Sequence, residues 1–352
     1  MKKYIAGSAA LLLAGTAAAQ SSLTLFGLVD ANLSMGRGSL SKVTQLANSG
    51  YQSSRLGFRG MEALGGGLSA SFWLEAGVNN DNGSGQATNT NNQGNGGAVA
   101  GIGGGQGLLF NRRSTLSVAG NFGEIRLGRD YTPQFWNLTV FDAFGSNGVG
   151  ASQTLRSVIT GVTSVRASNS LAYFLPAGLG GFYGTVQHYL GENASGPATA
   201  DDGKGTGVRA GFSNDVFQVA VTVSRTNYAA GDVRQDNVGG HYQFAMGRVM
   251  AQYSKDRNGA LTGKGWQVGG LFPVGAGEIR AAYSMYKTSA AGSPGSRKVA
   301  LGYVHNLSKR SAVYATAARL RNSGGASQAL GGSTTAANTS STGFDFGLRH
   351  SF

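Results

Sequence analysis

Along most of this chain apolar side chains recur at every second position. From Leu68 the even positions read Leu68, Ala70, Phe72, Leu74, Ala76 and Val78, while the odd ones read Ser69, Ser71, Trp73, Glu75 and Gly77. Val219, Val221 and Val223 alternate with Gln218, Ala220 and Thr222, and Ala281, Tyr283 and Met285 alternate with Arg280, Ala282 and Ser284. The last segment sets Phe344, Phe346, Leu348, His350 and Phe352 against Asp345, Gly347, Arg349 and Ser351. A period of two belongs to a strand with two unlike faces, and the i, i+3, i+4 spacing of an amphipathic helix is rare here. Strands are predicted to begin near Leu23, Gln52, Leu68, Leu109, Glu124, Ser168, Gly181, Thr206, Val216, Gln235, Arg248, Lys264, Gly277, Arg297, Arg310 and Ser341, sixteen in all.

The segments are mostly about 10 residues long, the length a tilted strand needs to cross a bilayer. Short connections (62–67, 121–123, 213–215, 245–247, 307–309) alternate with long ones (36–50, 80–107, 131–167, 191–205, 321–340). A soluble β-sandwich also alternates, but its domains usually stop near about 100 residues. An even number of strands with short turns at one end and long loops at the other is the pattern of an outer-membrane barrel. In hydrocarbon every backbone N–H and C=O must be paired, so a sheet can span only by closing on itself. The predicted fold is all-β: a 16-stranded antiparallel transmembrane β-barrel, wide enough for an aqueous channel. The third long loop, about 131–167, carries Phe135, Trp136, Leu138, Val140, Phe141 and Phe144. Folding inward would bury these groups against the wall and narrow the pore; an extracellular loop or partner surface is the alternative.

Composition agrees with this and removes other classes. The chain has 352 residues with 59 glycines, 5 prolines and no cysteine. Collagen spacing is absent, and so are disulfides and thiolate metal sites. Glycine suits tight turns and small pore-facing positions, and proline would break the sheet ladder. Lys2 and Lys3, the apolar run from Ile5 to Ala14, and small residues at Ala17 and Ala19 predict a signal peptide over residues 1–19, cleaved before Gln20. The barrel is then 20–352. Removing the leader takes two lysines with it and lowers the formal charge from +13 to +11. The basic residues are scattered rather than gathered in runs, which argues against a nucleic-acid partner.

Candidate chemistry is sparse. His188, His241, His305 and His350 fall within strands and show no nucleophile or zinc spacing, so neither an enzyme, a metal nor a cofactor is expected. The glycine run 101–107 lacks the strand-to-helix context of a nucleotide loop. Charge sorted by strand parity is more informative. Leu56 and Phe58 face out, so Arg55 and Arg59 face in; Leu116 and Val118 assign Arg113 to the lumen and leave Arg112 on the wrong parity unless a bulge intervenes. Lumen parity also collects Arg126, Arg209, Arg248, Arg280, Lys298 and Arg349. A tube lined by one sign focuses the field and concentrates anions. On this reading the excess of arginine belongs mainly to the inner face. Asp142, on the inward loop, would oppose the arginines.

Several segments carry a family resemblance: Leu23-Thr24-Leu25-Phe26-Gly27-Leu28-Val29-Asp30, Ser54-Arg55-Leu56-Gly57-Phe58-Arg59-Gly60, Phe72-Trp73-Leu74-Glu75, Arg112-Arg113-Ser114, Glu124-Ile125-Arg126-Leu127-Gly128-Arg129 and Gly347-Leu348-Arg349-His350-Ser351-Phe352. Residues 20–352 resemble the general diffusion porins of Gram-negative outer membranes, in particular the beta-proteobacterial anion-selective branch of the Comamonas and Neisseria type. The resemblance implies a multi-pass protein of the cell outer membrane and a homotrimer of water-filled channels for small hydrophilic solutes, with the third loop as constriction. Carried onto this chain, the basic cluster is Arg55, Arg112 or Arg113, and Arg166, with Arg59 and Arg156 as neighbours, and the acids are Asp142 and Glu75. Phe352 resembles the signal read by the barrel-assembly machinery. Implied partners are outer-membrane lipid and lipopolysaccharide, and small inorganic and organic anions. The Pro-Glu-Phe-Gly-Gly loop motif of enteric members is missing. Other readings of the same barrel are a channel specific for one organic or phosphorylated anion, and an outer-membrane hydrolase.

Overall fold

The computed structural model describes residues 22–86, 92, 109–156 and 165–352. The predicted signal peptide and the glycine run 101–107 lie outside these residues, as do positions 157–164 of the third loop. The first strands are β1 (Ser22–Arg37), β2 (Lys42–Asn48), β3 (Arg55–Gly65), β4 (Leu68–Asn79), β5 (Ser84–Gly85), β6 (Arg113–Gly120) and β7 (Gly123–Tyr131). A helix, α1 (Pro133–Val140), and a 3-10 turn, Gln153–Arg156, follow in the third long connection. The chain then runs through β8 (Arg166–Phe174), β9 (Phe182–Tyr189), β10 (Gly205–Ser213), β11 (Phe217–Thr226), β12 (Val233–Phe244) and β13 (Gly247–Asn258). It ends with β14 (Leu261–Val274), β15 (Gly277–Thr288), β16 (Gly295–Asn306), β17 (Ser311–Ser323) and β18 (Ser340–Ser351).

Sixteen of these strands close a ring, each antiparallel to its neighbours in chain order. β18 returns to β1 with Leu28 opposite Ser351 and Arg37 opposite Thr342. At the seam the Gly27 and Phe352 backbones exchange two hydrogen bonds of 3.1 Å. The ring starts agree with the predicted ones to within four residues. Two strands lie outside the ring. The connection 36–50, expected as a loop, holds β2, because β1 continues to Arg37 and folds back on itself. β1 therefore pairs with β3 through Ser22–Leu28 and with β2 through Ala31–Arg37. β5 is a two-residue flap on the end of β4.

The ring is inside out relative to a soluble sheet. Val219, Val221 and Val223 are 43%, 50% and 54% exposed, whereas Thr222 between them is 1% exposed. Buried polar residues such as Gln187, Asn237, Gln252 and Gln267 face the interior. Lipid supplies the apolar surroundings that a core supplies elsewhere. The turn between β6 and β7 needs glycine at Gly123: its φ is +108°, and a Cβ there would lie 2.2 Å from the Phe174 carbonyl oxygen.

Among the described residues the larger of two buried apolar clusters lies within the lumen. Ala143, Phe144 and Val149 of the third connection and Leu330 of the last pack on Met250, Ala282, Ala300, Ala318 and Leu320 of the wall. Small wall residues leave room for the loop to lie flat. At Gly239, on β12, a Cβ would lie 2.3 Å from the Phe141 ring, so the loop's aromatic side chain occupies the space a side chain would fill.

Candidate functional site

The third loop enters the barrel because its polar groups have fixed partners there. Pro133 opens α1, where its missing N–H removes no helical bond. Asn137 then reaches the wall: its Nδ2 donates to Asn237 Oδ1 at 2.7 Å, and its Oδ1 accepts from Arg209 Nε at 2.9 Å. Asn237 Nδ2 donates in turn to the Gln134 carbonyl at 3.1 Å. Farther on, the Gln153 N–H donates to Ser284 Oγ at 3.1 Å, and Ser296 Oγ donates to Gln153 Oε1 at 2.8 Å. Asp345 on β18 accepts the Val149 N–H at 2.8 Å, while Lys298 Nζ donates to the carbonyls of Val149, at 2.8 Å, and Ala151.

These contacts correct two expectations. Lys298 does face inward, but the residue is 1% exposed and its ammonium serves as a tether beneath the loop rather than a wet pore charge. Asp142 does not oppose the arginines. It is buried inside the loop, where its carboxylate accepts the N–H groups of Phe144, Ser146 and Ser152 at 2.9, 3.1 and 2.9 Å. Burial pushes its pKa up, against the pull of those N–H groups and of the Lys298 charge. Its role is to fold the loop, which a sequence position alone does not reveal. Arg209 is likewise held by the helix, with the Tyr183 hydroxyl 3.3 Å from its Nη2. Arg156 ends the 3-10 turn, and its side chain lies outside the described residues.

The opposite wall gathers the arginines. Arg55 on β3, Arg113 on β6 and Arg166 on β8 converge with Arg112 around Glu75 of β4 and Tyr131 at the end of β7. Arg112 Nε donates to Glu75 Oε1 at 2.6 Å, and Arg55 Nε lies 3.9 Å from the same oxygen. Trp73 Nε1 donates to Glu75 Oε2 at 3.0 Å and so holds the carboxylate in place. Arg112 and Arg166 both donate to the Tyr131 hydroxyl, at 2.5 and 3.0 Å, and the Arg166 guanidinium lies 4.5 Å from the Tyr131 ring centroid. Phe135 of α1 also stacks on the Tyr131 ring, at 5.6 Å between centroids.

Both Arg112 and Arg113 reach this cluster. The parity conflict disappears because β6 begins at Arg113, so Arg112 precedes the regular strand, with its N–H on the Glu75 carbonyl. Arg113 lies over the Trp73 ring at 4.6 Å and 3.6 Å from Asp130. Arg126, placed by parity elsewhere in the lumen, joins the cluster through Asp130 at 2.6 Å and Glu124 at 2.8 Å. Arg59 lies over Phe26 and Trp73, at 5.5 and 5.2 Å from their centroids. Arg280 and Arg349 share the Tyr51 ring instead, at 4.4 and 5.6 Å, and Arg248 bonds Gln243 at 3.1 Å; these three stand apart from the Glu75 cluster.

Sequence reading missed Asp130, Trp73 and Tyr131 as members of the site. Asp130 follows Arg126 by four residues, which puts both on one face of β7 and would have suggested it; the extra residue of the nearby register shift lies on β8. Between the cluster and α1 lies a cavity of about 610 Å³ lined by Arg55, Trp73, Arg113, Arg126, Tyr131 and Trp136. Five arginines (Arg55, Arg112, Arg113, Arg126 and Arg166) face three acids (Glu75, Glu124 and Asp130), which leaves a positive excess at the narrowed level. Fixed guanidinium groups in low-dielectric surroundings act on a passing ion more strongly than in bulk water.

The sequence matches a family model described as Gram-negative porin over residues 6–325. The chain is 33% identical to outer membrane porin protein 32 of Delftia acidovorans over the full length of both. Its fold is similar to that of an anion-selective porin from Comamonas acidovorans, with a TM-score of 0.81 and 32% identity over 95% of this chain and 100% of the other. At 15% identity it also shares the fold of OmpT of Vibrio cholerae in its trimer form, with a TM-score of 0.64 over 94% and 99% of the two chains. The chain belongs to the Gram-negative porin family: it is an outer-membrane channel, not an enzyme.

Proposed function

We propose that this porin passes small hydrophilic solutes passively and prefers anions. The observation that carries the reading is the convergence of Arg55, Arg112, Arg113 and Arg166 opposite the inward loop, with the carboxylates of Glu75 and Asp130 already engaged by arginine. An anion at this level exchanges part of its hydration for guanidinium N–H donors, and a cation meets net positive charge. The remaining donors are shared with Tyr131 and the rings, so binding stays weak enough for release. Inorganic and organic anions are thus the expected solutes. The resemblance to trimeric porins extends the reading to a homotrimer surrounded by outer-membrane lipid and lipopolysaccharide. It also includes a cleaved leader over residues 1–19 and recognition of Phe352 by the barrel-assembly machinery.

The reading is tested with Arg55→Ala and Arg166→Ala in planar bilayers. Each variant is expected to lower the anion-to-cation permeability ratio, by more at low ionic strength than at high, since salt screens the cluster over about 10 Å at 0.1 M. Ratios unchanged at low salt would remove these residues from the selectivity site.

A further inference from the structure

The outer face carries as much basic character as the pore. Arg225, Arg234 and Arg257 stand directly opposite one another across β11, β12 and β13. Lys255, Lys264 and Lys287 do the same across β13, β14 and β15. Arg297 opposes Arg321, and Arg37 opposes Lys42. All are exposed, and each shares its face with outward apolar residues such as Val223, Tyr253, Val299 and Leu33. They stand at the ends of the strands that carry the long connections, two to four residues beyond the apolar band. Like charges directly opposite one another destabilise a sheet. Outward acids are few: Asp232 binds Arg225 at 2.5 Å, and Asp236 lies opposite Lys255. From β14 round to β2 there is none among the described residues. β3, β4, β6 and β8–β10 place no Lys or Arg outward, so the belt covers one side of the barrel only.

Within the belt the surface is grooved. A cavity of about 470 Å³ runs across β16, β17, β18 and β1, with Met35, Val299, Leu301, Ala317 and Phe344 in its apolar part. Arg37 and Arg319 line its upper end. They flank Thr342, one strand to either side, so their backbones are about 10 Å apart, within joint reach of one phosphate.

We propose that this groove binds a phosphorylated lipid of the outer leaflet, its phosphate between Arg37 and Arg319 and an acyl chain along the apolar part. The other basic residues of the belt extend the same surface to neighbouring headgroups. An anionic headgroup offsets the repulsion that the sheet itself leaves uncompensated, and a guanidinium pair matches phosphate geometry. The proposal rests on the lipid partner proposed above and is independent of the selectivity of the pore.

The purified porin is titrated with mixed micelles containing diphosphoryl lipid A, dephosphorylated lipid A or neither, and separately with inorganic phosphate. Diphosphoryl lipid A is expected to bind best, and inorganic phosphate is expected not to displace it at equal concentration. The double variant Arg37→Gln, Arg319→Gln is expected to bind it roughly thirtyfold more weakly. Ala317→Phe, which fills the groove and leaves every charge, is expected to weaken binding as well. Reversal potentials of all variants should equal that of the wild type, which separates this test from that of the pore. Undiminished lipid A binding by the double variant would overturn the proposal. So would equal competition by inorganic phosphate. Loss of oligomers with lipid binding intact would also overturn it, since the groove would then be a face between copies of the chain.

Discussion

Arginines inside this barrel and basic residues on its outer rim obey opposite rules. Inside, each cation has a fixed neighbour: Arg112 has Glu75, Arg126 has Asp130, Arg166 has Tyr131 and Arg113 has Trp73. Outside, Lys264 faces Lys255 on one side and Lys287 on the other. The inner set is pre-organised by its own wall and presents a stable field to whatever passes. Arg225 excepted, which binds Asp232, the outer set faces like charge and on this proposal is completed by an anion from outside the chain. Net charge alone does not distinguish a selectivity filter from a docking belt; the partners of each charge do.

The largest effect expected from one substitution falls on the tether that keeps the inner region narrow. Lys298→Met leaves the Val149 and Ala151 carbonyls without their donor, and Asp345 without a neighbouring positive charge. Removing one partner of a buried charged contact costs about 3–5 kcal/mol. The expected result is a lower melting temperature and a larger, noisier single-channel conductance as the loop leaves the wall. Asp142→Ala should act in the same direction and less strongly, because it removes the acceptor for three loop N–H groups but leaves the Lys298 tether in place. Asp142→Asn should recover part of the loss. If Asp142→Ala instead changed selectivity at unchanged conductance, the residue would be a pore charge after all.

Glu75→Gln sharpens the inner half of the comparison. Neutralising this acid frees Arg55 and Arg112 and should raise the anion preference, with the change growing as salt falls. The smallest effect belongs to the outer half. Lys264→Gln relieves two like-charge contacts and should raise the melting temperature slightly in neutral detergent, a gain that disappears at high salt. Added lipid A should reverse the order of the two proteins.

The barrel was legible because lipid, lumen and ladder leave a strand little freedom. Alternation gave the ring, and it placed Arg55 and Arg113 inside because both lie on regular strands. Parity says nothing about side chains beyond the strand, so Arg112 stayed open, and it says nothing about what a loop lays over an inward residue, so Lys298 and Asp142 were read as wet. β2 escaped because 42–48 has no sustained alternation, and its pairing with β1 comes from the turn that joins them. The outward belt was visible in principle. Arg225 lies two residues past Val223, and Lys287 two past Met285, on the apolar faces of their strands. Assigning the positive excess mainly to the pore overlooked that count, and the structure divides it between pore and rim.

The central claim is that the fixed arginine cluster gives the pore its sign. Its most direct test is the zero-current potential of the wild-type protein in a planar bilayer under a potassium chloride gradient at low salt. The account predicts a potential shifted toward the chloride equilibrium value, shrinking as both solutions are made more concentrated. A potential on the potassium side, or one at zero, would contradict it.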